Sequence, residues 1–172
     1  MTENQPTASD RKKDPFSNPL VLGRSSQEFL DAAEAPIDVA DFPGTFSAEV
    51  GGREVFAQLT KNFYSSVAED ADFRRMYPEK ELHAAQVRLQ LFLEQYWGGP
   101  TTFSEHRGHP RLRMRHANYP VNSHYRDVWL GHMNKAIDQL ELPMLQADTL
   151  RDYFERAAHS LLNTPDGHQS LL

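Results

Sequence analysis

With no cysteine among 172 residues, thiolate nucleophiles, disulfide frameworks and thiolate-bound metals are excluded, so any metal must sit on histidine or oxygen ligands. Eight histidines supply the candidates. His106, His109 and His116 form an H-x2-H-x6-H series whose imidazoles suit zinc or another divalent ion. Against that, Arg111, Arg113 and Arg115 put positive charge beside the cation, and the spacing matches no standard zinc motif. The ordinary expectation for each ring is solvent exposure or a local hydrogen bond. The same arginines, with Arg107, read either as a solvated basic face or as guanidiniums for carboxylates at a pocket mouth. A third group is aromatic: Tyr64, Tyr77, Phe92, Tyr96, Trp97, Tyr125, Trp129, Tyr153 and Phe154. Core packing is the usual role of such rings, but so many phenol and indole donors on converging faces suit a cavity that holds something polar.

Helices must position these groups. Phe56, Leu59, Phe63 and Val67 recur at three- and four-residue steps within residues 53–70, one face of a helix with Tyr64 beside it. A second helix over 81–97 carries Ala85, Leu89, Phe92, Leu93 and Tyr96, and stops at Gly98-Gly99-Pro100. Asn122 or Ser123 caps a third, which runs to about Leu140 with Tyr125, Trp129, His132, Met133 and Ala136 on one side. A fourth spans about 147–163, striped by Leu150, Tyr153, Phe154, Ala157 and Leu161. No period-two alternation signals a sheet, so the fold class is all-α with four main helices.

The first 45 residues differ from the rest. Eight acidic against four basic residues place −4 of the formal −6 charge there, and five prolines interrupt any helix. The expected organisation is a disordered acidic extension over 1–45, a domain over 46–163 and a flexible tail over 164–172. A short amphipathic piece near Glu28–Ala33 is able to dock on the domain or on a partner. The net negative charge argues against nucleic acid, and no apolar run is long enough to cross a bilayer. The cytoplasm is the expected address, and no membrane insertion is expected.

The stretch Phe92-Leu-Glu-Gln-Tyr-Trp-Gly-Gly-Pro100, followed by Arg107-Gly-His-Pro-Arg-Leu-Arg-Met-Arg-His116, resembles the truncated haemoglobins, specifically their second group from actinobacteria. The glycine pairs 51–52 and 98–99, Tyr77 in Arg75-Met-Tyr77-Pro, His116 and Trp129 fall in family order over about 46–163. The resemblance implies a two-over-two helical sandwich around haem b, with His116 as the proximal iron ligand. Tyr64, Tyr77 and Trp129 match the distal cage that stabilises bound ligand. Ala85 replaces a bulkier distal residue and leaves that side open. Leu89, Phe92, Met114 and Tyr119 are expected at the cofactor, and Arg88, with Arg115 second, at a propionate.

The implied function is binding of O2 and other diatomic ligands, nitric oxide and carbon monoxide among them, with peroxide as a further ligand. Oxygen binding or transport, nitric-oxide oxidation as a dioxygenase, and peroxidase activity compete within that class. The chain carries no flavin or nicotinamide fingerprint, so a reductase would be a separate protein. Monomer and homodimer are both compatible with the sequence. The reading from a different class is a non-haem helical partner-binding module with the acidic extension as its recognition element.

Overall fold

The computed structural model describes residues 26–166, and expectations for 1–25 and 167–172 lie outside the described residues. Within them there is no strand. The chain runs through α1 (Ser26–Glu34), a 3-10 turn (Val39–Asp41), α2 (Phe46–Val50), α3 (Arg53–Glu69), α4 (Ala71–Arg74), α5 (His83–Tyr96), α6 (Thr102–Arg107), α7 (Leu112–His116), α8 (Ser123–Asp138) and α9 (Met144–Ser160). Helix α3 packs on α5, α8 packs on α9, and the α3–α8 contact joins the pairs into a two-over-two sandwich.

The stripe on α3 does what its spacing dictates: Phe56, Leu59, Phe63 and Val67 are wholly buried against Leu93, Met133, Ile137, Leu150 and Phe154. Each such side chain contributes about 1.5–3 kcal/mol of burial. Asn122 is the N-cap of α8, its side-chain oxygen accepting from Tyr125 N at 2.9 Å. Gly52 turns the α2–α3 corner at φ 68°, and a Cβ there would meet Val39 Cγ1 at 2.7 Å, so the corner requires glycine twice over. The last helix begins at Met144 instead of near 147, because Pro143 precedes its first turn and the exposed Met144 and Leu145 stand off the apolar stripe. It also ends before residue 163, where Asn163 N turns to donate to Val121 O.

The expectation of disorder up to residue 45 is corrected from residue 26 onward. Helix α1 docks on α5, burying Phe29 and Ala33 with Val87, Leu91 and Phe103 in a second core. Helix α5 is therefore buried on two faces, one toward each core, and a single stripe does not describe it. A buried ion pair completes the seam. Arg53, at the start of α3, donates from Nε and Nη2 to the fully buried Glu94 of α5, the Nη2–Oε2 distance being 2.8 Å. Its Nη1 donates to Ala32 O at 2.8 Å and to Ala35 O, which satisfies carbonyls at the C-terminus of α1. Gln90 donates to both Glu94 Oε1 and Ala33 O. At the other terminus, Thr164–Asp166 also leave the expected flexible tail, since Ser123 N and Oγ donate to Asp166 Oδ1.

Removing one partner of this pair strands a charge in the core. Arg53→Met is expected to cost about 3–5 kcal/mol in urea unfolding, and Arg53→Met with Glu94→Leu to recover most of it. A single-variant loss below about 1 kcal/mol, the range of an exposed pair, contradicts the assignment.

Candidate functional site

A cavity of about 230 Å³ lies where the two helix pairs meet α7. Tyr64 enters its wall from α3, Ala85, Leu89 and Phe92 from α5, Trp129 from α8, and Tyr153 and Phe154 from α9. His116 and Tyr119 close it from α7 and the turn that follows.

Three donors meet on one part of this wall. Tyr64, Tyr77 and Trp129 share this stretch of wall, and the two phenol rings lie edge to face at 5.6 Å with their polar groups electrostatically coupled. Burial pushes both phenols well above the usual tyrosine range, so they remain protonated donors at any physiological pH. Tyr77 is held from two directions. Arg74 donates to Tyr77 O at 2.9 Å and to Lys80 O at 3.0 Å, which fixes the segment after α4. Phe73, edge-on to Tyr77 at 5.9 Å, stacks on His132, and that ring is itself held by Ser66 Oγ at 2.7 Å and Asp70 Oδ2 at 2.9 Å. Asp70 also caps α4, and the bonds from Phe73 N and His132 hold its carboxyl below the usual range.

His116 meets different constraints. Its Nδ1 lies 2.8 Å from Leu112 O, and since a carbonyl only accepts, Nδ1 carries the proton and Nε2 the lone pair. Burial depresses its pKa, with the Leu112 bond acting weakly the other way, so the ring is neutral. The turn that carries it is clamped by Asn163, whose Nδ2 donates to His116 O and Tyr119 O and whose Oδ1 accepts from Val121 N at 2.9 Å.

Four guanidiniums line the cavity: Arg88, Arg107, Arg115 and Arg126. Arg88 pairs with Glu79, and Arg115 donates to Pro110 O at 2.6 Å and Arg107 O at 3.1 Å. An apolar slot with one lone-pair imidazole, guanidiniums for carboxylates and a cluster of O–H and N–H donors matches the needs of an iron porphyrin with acidic side chains.

Most expected site residues come together: Tyr64, Tyr77, Ala85, Arg88, Leu89, Phe92, Arg115, His116, Tyr119 and Trp129 all line the cavity. Met114 does not. It is 66% exposed, because two residues along a helix from His116 lies on nearly the opposite face. The H-x2-H-x6-H series does not converge either. His106 bonds Thr102 O, His109 accepts from Arg111 N, and among the described residues no group of three His, Asp or Glu could hold a metal. Sequence reading missed Asn163, which acts on backbone more than 40 residues away, and Arg74, whose bonds to the carbonyls of Tyr77 and Lys80 lie in an irregular segment with no periodicity to read. It also gave no cavity role to Phe73, Leu112 or Val121.

A model of the bacterial-like globin family matches residues 45–163. The group 2 truncated hemoglobin YjbI of Bacillus subtilis is 34% identical over 115 residues, which is 67% of this chain and 86% of that protein. The thermostable hemoglobin of Thermobifida fusca superposes with a TM-score of 0.69 at 51% identity, over 71% of this chain and 99% of its own. The group II truncated hemoglobin of Bacillus anthracis gives 0.68 at 29% identity, over 72% and 100%.

The Asn163 clamp yields a specific expectation. Asn163→Ala removes three bonds to the turn after His116, and because these bonds are exposed and water takes up the freed groups, the cost in thermal or urea unfolding is about 0.5–1.5 kcal/mol. Amide exchange at 117–121 should accelerate with it; protection unchanged there means the turn is held by something else.

Proposed function

The chain belongs to the bacterial-like globin family, and we propose that it holds haem b on the Nε2 of His116 and takes O2 and other diatomic gases. Haem, when bound, would supply an iron able to take such a gas. The observation that carries the reading is the hydrogen bond from His116 Nδ1 to Leu112 O, which presents a neutral imidazole with a fixed tautomer at the wall of an apolar cavity. Asn163 serves that bond by fixing the turn behind the ring.

Tyr64, Tyr77 and Trp129 act on the ligand side. Tyr77 is packed edge to face against Tyr64, and Trp129 against Phe63, so both donors are held by ring contacts before any ligand arrives. A gas that gains negative charge on binding is stabilised by such donors, and its release is slowed. Ala85 leaves space beside them, while Leu89 and Phe92 exclude water. Arg88 and Arg115 are suited to the acidic edge of the porphyrin, with Glu79 holding Arg88 in line. A donor-rich pocket favours retention of ligand over bulk delivery. The reactions that suit it are oxidation of nitric oxide and reduction of peroxide, with electrons from a separate reductase. Mixing the oxygenated protein with nitric oxide in a single turnover, beside a steady-state peroxide assay, separates them.

The absorption spectrum of purified protein, oxidised and then reduced under carbon monoxide, is expected to be that of a histidine-ligated haem. His116→Ala should abolish or severely weaken that ligation; an unchanged spectrum overturns the assignment. Trp129→Phe keeps the bulk and deletes one donor worth about 1 kcal/mol, so O2 release in stopped flow should quicken by roughly fivefold. An unaltered rate removes Trp129 from this role.

A further inference from the structure

Tyr96 ends α5 and is 53% exposed, yet its ring is not isolated. It stacks on Tyr153 with centroids 4.3 Å apart and planes 36° from parallel. Tyr153 is buried and forms part of the cavity wall. From Tyr153 the contacts continue inward to Phe154 at 5.1 Å, and from Phe154 to Trp129 at 5.6 Å, both also on the wall. Trp97 touches both tyrosines, Tyr96 at 5.1 Å and Tyr153 at 5.2 Å. A run of rings in van der Waals contact thus joins the cavity to solvent, and at its thinnest the separation is one phenol.

Phenols and indoles are the side chains that most readily give up a single electron near neutral pH, and electron transfer between touching rings outpaces one long jump through aliphatic packing. Where the oxidising equivalent comes to rest is decided by protons. A phenol that loses an electron becomes strongly acidic and must shed its hydroxyl proton. Tyr153 is badly placed for that, since burial, reinforced by Tyr96, opposes loss of its proton. The Nε1 atom of the partly buried Trp97 is itself buried with no hydrogen-bond partner among the described residues, so it too has no acceptor. Tyr96 has water beside it. The direction of travel is outward.

We propose that Tyr96 is a surface oxidation site, connected to the cavity through Tyr153, at which aromatic electron donors too large to enter the cavity are oxidised with peroxide as the oxidant. The inference rests on the haem-binding reading above. Hydrogen peroxide takes up two electrons and two protons in the cavity and leaves as two waters. Each electron is drawn through Tyr153 from Tyr96, whose hydroxyl proton passes to solvent. Each Tyr96 phenoxyl is then restored by one electron and one proton from a phenolic donor stacked on its exposed face. The donor departs as its own phenoxyl radical, so one peroxide consumes two donor molecules.

The test uses the full chain with haem, hydrogen peroxide and a nitroso spin trap, with the adduct mapped by peptide mass spectrometry. The adduct is expected on Tyr96, and Tyr153→Phe should lower it several-fold although Tyr96 stays exposed. Tyr96→Phe should remove it and slow oxidation of a bulky phenol several-fold, with the haem spectrum unchanged. Adducts confined to other residues, or labelling of Tyr96 indifferent to Tyr153→Phe, overturn the proposal. Should the chain take up no haem, the cofactor reading fails on its spectrum, and the relay is read separately by pulse radiolysis with azide radicals. There a tryptophan radical should pass to tyrosine in the unaltered chain and not in Tyr96→Phe; equal transfer in both overturns the relay.

Discussion

The register between α3 and α5 is the constraint on which the site depends, and the Arg53–Glu94 pair sets it. The two helices run antiparallel, so the start of one meets the end of the other, and Tyr64 and Ala85 are brought together toward their far ends. A slip by one turn would carry Tyr64 past Tyr77 and leave Glu94 buried with no cation. Desolvation of both charges offsets much of their attraction, so the pair contributes more to choosing one arrangement than to net stability. Arg53 also accounts for the docking of α1. Its remaining donor and the Gln90 amide take up the carbonyls of Ala32, Ala33 and Ala35, which would otherwise sit unpaired against the second core.

The two sides of the cavity are built on opposite principles. His116 sits in a five-residue helix too short to hold itself, and its position is borrowed from Asn163, 47 residues on. Tyr64 and Trp129 stand on long helices whose stripes are fully packed, and Tyr77 is pinned between Arg74 and the stacked Phe73–His132 pair. The tyrosine and tryptophan side is thus held mainly by packing, whereas the imidazole side is held by hydrogen bonds to backbone.

What was legible from the residues follows the same division. The α3 stripe, the Gly98-Gly99 stop, the Asn122 cap and the all-helical class come from local periodicity and local backbone demands, and they appear where expected. Resemblance then supplied what periodicity cannot, the convergence of Tyr64, Tyr77, Trp129 and His116 on one cavity. Features that failed depend on partners far along the chain. Nothing beside Arg53 or Asn163 in sequence announces a carboxylate or a turn over 40 positions away, whereas the amphipathic piece near Glu28–Ala33 is legible as able to dock on the domain and does so through Phe29 and Ala33 against Val87 and Leu91. Met114, expected at the cofactor from the resemblance, is exposed instead, since two residues along a helix from His116 is nearly the opposite face.

The aromatic wall of this cavity carries two demands that pull apart. Holding a gas calls for donors that keep their protons, and burial ensures this for Tyr64 and Tyr77. Handling an oxidant calls for a ring that can lose one. A buried phenol oxidised in place would be trapped as a strong oxidant beside Trp129 and Phe154, with damage to the pocket as its outlet. On the proposed relay, the exposed Tyr96, outside the wall and in contact with Tyr153, separates the two tasks in space.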